Sequence, residues 1–412
     1  MTNKRSIKLL SEFISIQSVS TDQTRHGEIL KAVEFLKKEI KSLGFGIDIY
    51  QKDNCPPLIV GYLPSLSRSN KNGKTKTIGV YAHYDVQPED PVDKWGSLPF
   101  QLTKKNGKFY GRGVADDKGH IIQTVEAIRR LVETRHASSL QNNIVLIFEG
   151  EEETGSENFR ALIKQAKKEL KNVDIFYILD MGMETIDQPK IFYGIRGLVG
   201  FELEIKIGEQ DLHSGVYGNQ IDNPIQILSE LFSKIKNSLN RKILIPHFYD
   251  RAKFPLYPSF DLHGMTGGYT GQGIKTIIPA VASAKFSFRL IENQSPDEIE
   301  KLVFDFIKKN LPKGIKYSLK TLGKLAPFCT DINNIFTKKT DEIFTKVFGK
   351  KTLFSRSGGS IGAVATLAEL FKKPLILTGF TLPDENIHAP NENIDEEMFY
   401  KGIVSLEKIL AQ

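Results

Sequence analysis

Short apolar runs alternate with segments of helical periodicity along the N-terminal part of the chain. Short apolar runs between turn signals are typical of buried strands, and apolar residues spaced three and four apart are typical of helices with one buried face. The predicted strands cover residues 78–82, 143–148 and 174–179, and the predicted helices cover residues 26–43, 118–134 and 157–170. Strands that alternate with helices predict an α/β fold, with a mixed sheet flanked by helices.

The pattern changes after about residue 194. Residues 198–207 alternate apolar and polar positions, which is typical of an antiparallel strand with one exposed face. A helix at 224–235, strands at 282–290 and 315–322, and a helix between them at 296–309 follow. This succession of strands and helices predicts a small α+β domain. We therefore expect a discontinuous domain of residues 1–193 and 326–412, with an inserted domain of residues 194–325.

Composition and charge narrow the class of protein. The formal net charge is +7, but the lysines are interleaved with acidic residues and form no arginine-rich arm, which argues against nucleic-acid binding. No stretch approaches the roughly 20 apolar residues that a membrane span needs, and residues 1–10 lack the apolar core of a signal peptide. Two cysteines are too few for a disulfide framework. These features predict a cytosolic protein that binds neither nucleic acid nor membrane.

Acidic residues and histidines cluster in loops, several of them directly after predicted strands. They are His83 with Asp85, Asp116 with Asp117, Glu149 with Glu151, Glu152 and Glu153, Asp180, and His388. Open α/β sheets bind ligands at the carboxyl ends of their strands. Each segment alone also fits an exposed turn, a helix cap or a solvated acidic loop. Together, two histidines and several carboxylates suit Zn²⁺, and also Mn²⁺ or Co²⁺.

Three motifs resemble those of a known family. HYDVQP, GRGVADDKG and EGEEETGSE, in this order, are similar to the motifs of the M20 zinc peptidases, closest to the carnosinase-like and cytosolic non-specific dipeptidases. The resemblance implies two metal ions, one bound by His83 and Asp180, the other by Glu153 and His388, with Asp116 bridging both. It also implies that Glu152 is the general base, that Asp85 orients His83, and that the peptide bond between residues 116 and 117 is cis.

The predicted insert resembles the lid and dimerisation domain of the same dipeptidases, which implies a homodimer. His213, in DLHSGVYG, is implied to reach the partner subunit's active site and to stabilise the oxyanion there. Arg289, in FSFRL, is implied to bind the substrate carboxylate. Gly359 and Ser360 belong to a segment that resembles a glycine-rich substrate loop.

That glycine-rich loop departs from the family pattern at two positions. The related dipeptidases usually carry Glu where Ser357 stands and Pro where Gly362 stands. The departure bears on how the amino group of the substrate is recognised.

The resemblance implies a dipeptidase that cuts the amide bond next to a free carboxyl-terminal carboxylate, using water activated between two metal ions. An N-acyl-amino-acid deacylase of the same family is the alternative, because it uses the same metals. A non-enzymatic binding module would require the loss of a ligand or the base, and all of them are present. The remaining histidines are expected to be structural or solvated, namely His26, His120, His136, His247 and His263.

Overall fold

Strands and helices alternate in the computed structural model, which describes residues 2–66, 75–133, 140–252 and 257–412. His136 and the last residue of the helix predicted at 118–134 lie outside these ranges. The strands, β1 to β18 in chain order, are Gly46–Tyr50, Leu58–Leu63, Thr77–His83, Thr103–Lys105, Lys108–Tyr110, Asn143–Glu149, Ile175–Ile178, Lys190–Ile195, Gly197–Lys206, Leu212–His213, Ser259–Gly267, Ile277–Ile278, Val281–Leu290, Lys316–Leu325, Phe328–Cys329, Leu353–Arg356, Leu375–Leu377 and Asn393–Asp395. The helices, α1 to α11, are Thr2–Ile14, His26–Ser42, Lys118–Glu133, Phe159–Gln165, Lys167–Leu170, Ser214–Tyr217, Pro224–Ile235, Pro296–Asn310, Ile335–Phe348, Gly362–Phe371 and Glu396–Leu410.

The chain divides into two compact units. The first comprises Met1–Tyr193, Thr330–Arg356 and Ile361–Gln412. The second comprises Gly194–Cys329 and Ser357–Ser360. The first unit is therefore built from three separate stretches of sequence.

A mixed sheet with a parallel centre organises the first unit. Its strands lie in the order β1-β2-β6-β3-β7-β17-β8, and β16 also pairs with β8. Strand β3 runs parallel to both β6 and β7, and β7 runs parallel to β17. Because parallel neighbours end at the same edge of a sheet, the residues that follow β3, β6 and β7 meet at that edge.

Both faces of this sheet are covered. Val80 of β3 belongs to a core that also contains Ile121 of α3 and Leu406 of α11. Tyr81, the next residue, points to the opposite face and contacts Phe159 of α4 edge to face, with ring centroids 5.8 Å apart. Strand β3 is buried at every position. The predicted α/β class is confirmed.

One predicted helix is divided in the structure. Residues 157–170, expected to form a single helix, form α4 and α5, which are separated at Ala166. The backbone of Ala166 has φ −79° and ψ 6°, outside the α-helical region. The sequence carries neither proline nor glycine there, so nothing in the pattern marks the break.

An antiparallel sheet with two helices forms most of the second unit. Its strands lie in the order β11-β13-β9-β14. Phe201 of β9 and Phe286 of β13 lie in the core with Leu231 of α7 and Val303 of α8. Alternate residues of β13, among them Arg289, point to the other face of the sheet. The core therefore lies on one face of the sheet, as the period-two pattern of residues 198–207 predicts.

Among the helices of the described ranges, none combines the length and the apolarity that crossing a membrane requires.

Candidate metal centre

Four of the candidate residues follow parallel strands of the first unit. His83 is the last residue of β3, Glu152 and Glu153 belong to a short 3₁₀ turn after β6, and Asp180 comes two residues after β7. These strands are neighbours in the sheet, so their carboxyl ends bring the side chains together. The strand order therefore explains why residues far apart in sequence share one site.

Asp116 lies between two histidines. Its Oδ1 is 2.9 Å from His83 Nε2, and its Oδ2 is 2.9 Å from His388 Nε2. His388 Nε2 is also 3.3 Å from Glu153 Oε2. The potential ligand atoms of His83, Asp116 and Asp180 lie within 4.8 Å of one another, and so do those of Asp116, Glu153 and His388. The structure thus brings all five predicted metal ligands into two groups that share Asp116.

The donor atoms of this centre fit divalent metal ions. Imidazole nitrogens and carboxylate oxygens are the ligands that Zn²⁺ takes in catalytic sites. Glu153 Oε1 is buried and has no hydrogen-bond partner among the described residues. A buried carboxylate oxygen without a partner is costly, and a bound cation removes that cost. The peptide bond between Asp116 and Asp117 is cis, as the resemblance implied.

The electrostatics of the centre reflect its excess of carboxyl groups. Burial raises the pKa of Asp180 well above its usual range, and the neighbouring Glu152 raises it further. Burial also raises the pKa of Glu152 to about 8, although the nearby His83 acts in the opposite direction. A hydrogen bond to Asp116 is the main cause that raises the pKa of His388 to about 10. Crowded carboxyl groups of this kind favour the binding of a cation.

Asp85 connects two of the ligand-bearing segments. Its buried carboxylate places Oδ1 3.3 Å from His83 Nδ1. The same carboxylate accepts hydrogen bonds from the backbone N–H of Glu152 at 3.2 Å and of Glu153 at 3.1 Å. The residue expected to orient His83 therefore also holds the turn that carries Glu152 and Glu153.

A buried ion pair holds the loop of Asp116, and the sequence did not predict it. Arg112 Nη1 donates to the Glu392 carboxylate at 2.7 Å. The same carboxylate accepts backbone N–H bonds at 2.9–3.1 Å from Gly113, Ala115 and Asp116. Glu392 lies four residues after His388, so one side chain links the loops of two ligands. The only available signal was an acid in the loop of His388, which resembles any exposed turn residue.

His120 has both ring nitrogens engaged and belongs to neither ligand group. Its Nδ1 is hydrogen-bonded to the carboxylate of Asp117, and its Nε2 accepts the backbone N–H of Phe380 at 2.7 Å. The other carboxylate oxygen of Asp117 accepts the backbone N–H of His83 at 3.0 Å. His120 is therefore a structural histidine, as predicted.

The predicted substrate-binding residues lie in the second unit. Arg289 Nη1 donates to Ser360 Oγ at 2.8 Å, and Ser360 Oγ donates to the carbonyl oxygen of Arg196 at 2.6 Å. The carbonyl oxygen of Gly359 accepts the backbone N–H of Arg196 at 3.0 Å. His213 lies in a short ladder opposite Ile277, is exposed, and accepts the N–H of residue 215 at Nδ1. The unit thus brings together Arg289, Gly359 and Ser360, while His213 occupies a different segment.

Packing explains the glycine at position 362. A Cβ atom on Gly362 would lie 2.8 Å from the Cβ of Ser156, closer than real Cβ atoms approach. Ser156 follows the turn of Glu152 and Glu153 and has a positive φ of 57°. Proline, which is otherwise favourable in the first turn of a helix, would displace that segment. At the other departure, Ser357 Oγ accepts the backbone N–H of Gly359 at 3.1 Å.

The chain belongs to the peptidase family M20/M25/M40, whose family model matches residues 79–412. The Cys-Gly metallodipeptidase dug1 of Schizosaccharomyces pombe is 30% identical, and the match covers 96% of this chain and 92% of that protein. This level of similarity over nearly the whole length supports the family assignment independently.

Solved structures of the family have the same fold. The di-peptidase Dug1p from Saccharomyces cerevisiae superposes with a TM-score of 0.84 at 26% identity, covering 99% of this chain and 95% of that chain. An M20 family metallo-carboxypeptidase from Sulfolobus solfataricus superposes with a TM-score of 0.88 at 28% identity, covering 98% of both chains. The predicted membership of the M20 family is confirmed.

Proposed function

We propose that this chain is a metallodipeptidase that hydrolyses dipeptides at the amide bond next to a free carboxyl-terminal carboxylate. The observation that carries the proposal is the pair of ligand groups that share Asp116. The names of two relatives, a Cys-Gly metallodipeptidase and a di-peptidase, give further support. The composition and cysteine content favour the cytosol as its place of action.

Two divalent cations fit the donor set, with Zn²⁺ preferred and Mn²⁺ or Co²⁺ as alternatives. The ligands that we assign are His83 and Asp180 for one cation, Glu153 and His388 for the other, and Asp116 for both. When bound, the cations polarise the scissile carbonyl and lower the pKa of water. Asp85 engages His83 Nδ1, which leaves Nε2 as the nitrogen that faces the metal.

Glu152 acts first as the general base and then as the general acid. Burial raises its pKa to about 8, so the carboxylate accepts a proton from the attacking water readily and returns it to the leaving amine. The hydrogen bond from its backbone N–H to Asp85, at 3.2 Å, supports a fixed position for this side chain.

Arg289 binds the carboxyl-terminal carboxylate of the substrate. A guanidinium group matches a carboxylate with two parallel hydrogen bonds, and Ser360 holds one of its nitrogens at 2.8 Å. Gly359 and Ser360 complete this end of the substrate site. We further propose a homodimer formed through the second unit, in which His213 of one subunit stabilises the oxyanion in the site of the other.

The test is amide hydrolysis by purified protein loaded with Zn²⁺ or Mn²⁺. The panel contains dipeptides together with N-acetyl and N-succinyl amino acids, each measured with and without a chelator. Chelator-sensitive release of amino acids from dipeptides supports the proposal. Cleavage of the acylated compounds alone overturns it in favour of the deacylase, and a protein that binds metal but cleaves neither class is not an enzyme of this type.

A further inference from the structure

A cavity of about 920 Å³ in the second unit is lined mainly by cationic and aromatic side chains. Its volume lies in the range of small-molecule sites, roughly 300–1,000 Å³. The charged residues of its lining are Arg196, Lys236, Arg241, Lys242 and Asp261. The lining thus contains four cationic side chains and one carboxylate, a balance of charge that attracts anions.

The four cations come from two segments of the unit, and none of them pairs with an acidic side chain of the described residues. Arg196 lies between β8 and β9, Lys236 follows α7, and Arg241 and Lys242 belong to the next turn. In the described part of the chain, none of the four forms an ion pair with a carboxylate within 4.0 Å. Other cations of the same unit do pair, for example Lys206 with a glutamate at 2.8 Å. The four cations of this cavity are therefore available to pair with a ligand.

Local hydrogen bonds hold the cationic wall in place. Lys242 Nζ lies 5.6 Å from the ring centroid of Tyr249, whose hydroxyl accepts the backbone N–H of Ile243 at 2.9 Å. The side chain of Asn240 accepts the backbone N–H of Lys242 at 3.0 Å. Lys236 Nζ donates one hydrogen bond, to the carbonyl oxygen of residue 260, and keeps two further protons available. Side chains ordered before binding lose less entropy when a ligand arrives.

The cavity adjoins the residues that we assign to the substrate carboxylate. Ser360 connects Arg289 to Arg196, accepting from the first at 2.8 Å and donating to the carbonyl oxygen of the second at 2.6 Å. Ser259, which lines the cavity, is the direct neighbour of Arg289 across strands β11 and β13. A residue whose α-carboxylate is bound by Arg289 therefore has the cavity beside it.

We infer that this cavity receives the acidic side chain of the carboxyl-terminal residue, so that the enzyme prefers dipeptides ending in Glu or Asp. The inference rests on the proposed dipeptidase function. A second carboxylate beside the α-carboxylate pairs with cations that otherwise repel one another. Since the cavity is larger than one glutamate side chain, water fills the remaining space and bridges the outer cations to the ligand.

The test compares Ala-Glu with Ala-Gln, which have nearly the same shape and differ in charge. We expect kcat/KM to favour Ala-Glu by roughly ten- to hundredfold, the factor for one or two charge-assisted hydrogen bonds, and the difference to lie in KM. The double variant Arg241→Gln/Lys242→Gln should lose most of this preference and keep its activity on Ala-Gln. The control Lys234→Gln/Lys309→Gln removes the same charge at exposed positions outside the cavity and should keep the preference.

Binding of both dipeptides to the Glu152→Gln variant, measured by calorimetry, separates this inference from the proposed function. Tighter binding of Ala-Glu that depends on Arg241 and Lys242 supports the cavity even if no dipeptide is hydrolysed. Equal binding and equal turnover of the two dipeptides overturn the inference and leave the dipeptidase intact. A preference that survives the Arg241→Gln/Lys242→Gln change also overturns it.

Discussion

The guanidinium of Arg112 and the carboxylate of Glu392 meet at 2.7 Å, although 280 positions separate them in the chain. Both side chains are buried. The Glu392 carboxylate also accepts the backbone N–H of Asp116 at 3.1 Å. Glu392 thus holds the backbone of Asp116, the residue common to both candidate ligand groups, without belonging to either group.

Replacing Glu392 by Gln should therefore weaken both stability and metal binding. The change keeps the size of the side chain but leaves Arg112 buried without its counter-charge, which costs about 3–5 kcal/mol. Urea unfolding measures the loss of stability, and calorimetry with Zn²⁺ measures the loss of affinity. The exposed Glu397→Gln change on α11 is the control and should alter neither. If Glu392→Gln binds Zn²⁺ as tightly as the wild type, the ion pair of Arg112 and Glu392 stabilises the fold and does not contribute to metal binding.

The Glu152→Gln variant should lose turnover and keep its metal. An amide oxygen cannot take the proton of the attacking water, so kcat should fall by roughly 10²–10⁴-fold. Elemental analysis of the purified protein should give the wild-type metal content, because Glu152 is absent from both ligand groups. Glu157→Gln, an exposed change in the same loop, should leave kcat unchanged. Substantial residual activity would contradict the assignment of the base.

His388→Ala should selectively remove one of the two cations. His388 belongs to the group with Glu153 and not to the group with His83 and Asp180. Titration with Zn²⁺ should therefore give about one ion per chain where the wild type binds about two. His247→Ala, at an exposed histidine paired with Asp250, is the matched control. Two ions retained in His388→Ala would rule out this division of ligands.

Glu385 should make stability fall as the pH rises. This buried carboxyl accepts the backbone N–H groups of Leu382 at 2.8 Å and Asp395 at 2.7 Å, yet burial raises its pKa from 4.5 to about 8. Between these two values the folded state holds a proton that the unfolded state releases. Stability contributed by Glu385 is thus complete below about pH 4.5 and lost as the pH rises toward 8, by at most ~1.4 kcal/mol per pH unit.

The measurement is urea unfolding of chelated protein from pH 4.5 to 8. Relative to the wild type, Glu385→Gln should show a shallower decline in the free energy of unfolding across this range. Glu397→Gln, which removes an exposed carboxyl from α11, should preserve the wild-type slope. If the free energy of unfolding changes with pH equally in the wild type and in Glu385→Gln, the pKa of Glu385 is not raised in the folded protein.

Two inactive variants should complement each other if His213 acts across a dimer. Glu152→Gln lacks the base, and His213→Ala lacks the residue contributed to its partner. A mixed dimer contains one site with both groups intact, so random re-association should restore about a quarter of the wild-type activity. Mixing Glu152→Gln with Asp85→Asn, two defects of the same site, should restore none. If subunits are shown to exchange and the mixture of Glu152→Gln with His213→Ala still restores no activity, His213 does not act in the partner's site.

The sequence predicts the fold more completely than it predicts which residues meet in the candidate metal centre. General rules place His83 and Asp180 at one edge of the sheet, because each ends or follows an apolar run that forms a parallel strand. Asp116 and His388 come from loops that no strand pattern brings together, so they were candidates by residue type alone, and their roles came from the family resemblance. Their contact depends on tertiary structure, in particular on Glu392 and its hydrogen bonds to the loop of Asp116.

Other features could not be predicted because they depend on packing or on several segments at once. The sequence pattern does not predict strand β11, since its residues are mostly exposed and the segment contains His263 and Gly264, which weaken the alternation. The cationic cavity combines side chains that lie between residues 196 and 261, and no single stretch of them stands out from the scattered lysines. Charge clusters that form only on folding leave no local signature in a sequence.

The order of the ligands along the chain has a consequence for biosynthesis. His83, Asp116, Glu153 and Asp180 all precede the second unit, whereas His388 follows it. Because domains fold as units while the ribosome is still at work, the inserted unit has time to fold before the last ligand has been made. Under the proposed assignment, the set of ligands is complete only after residue 388 has been made, so the peptidase would be inactive throughout most of its own translation.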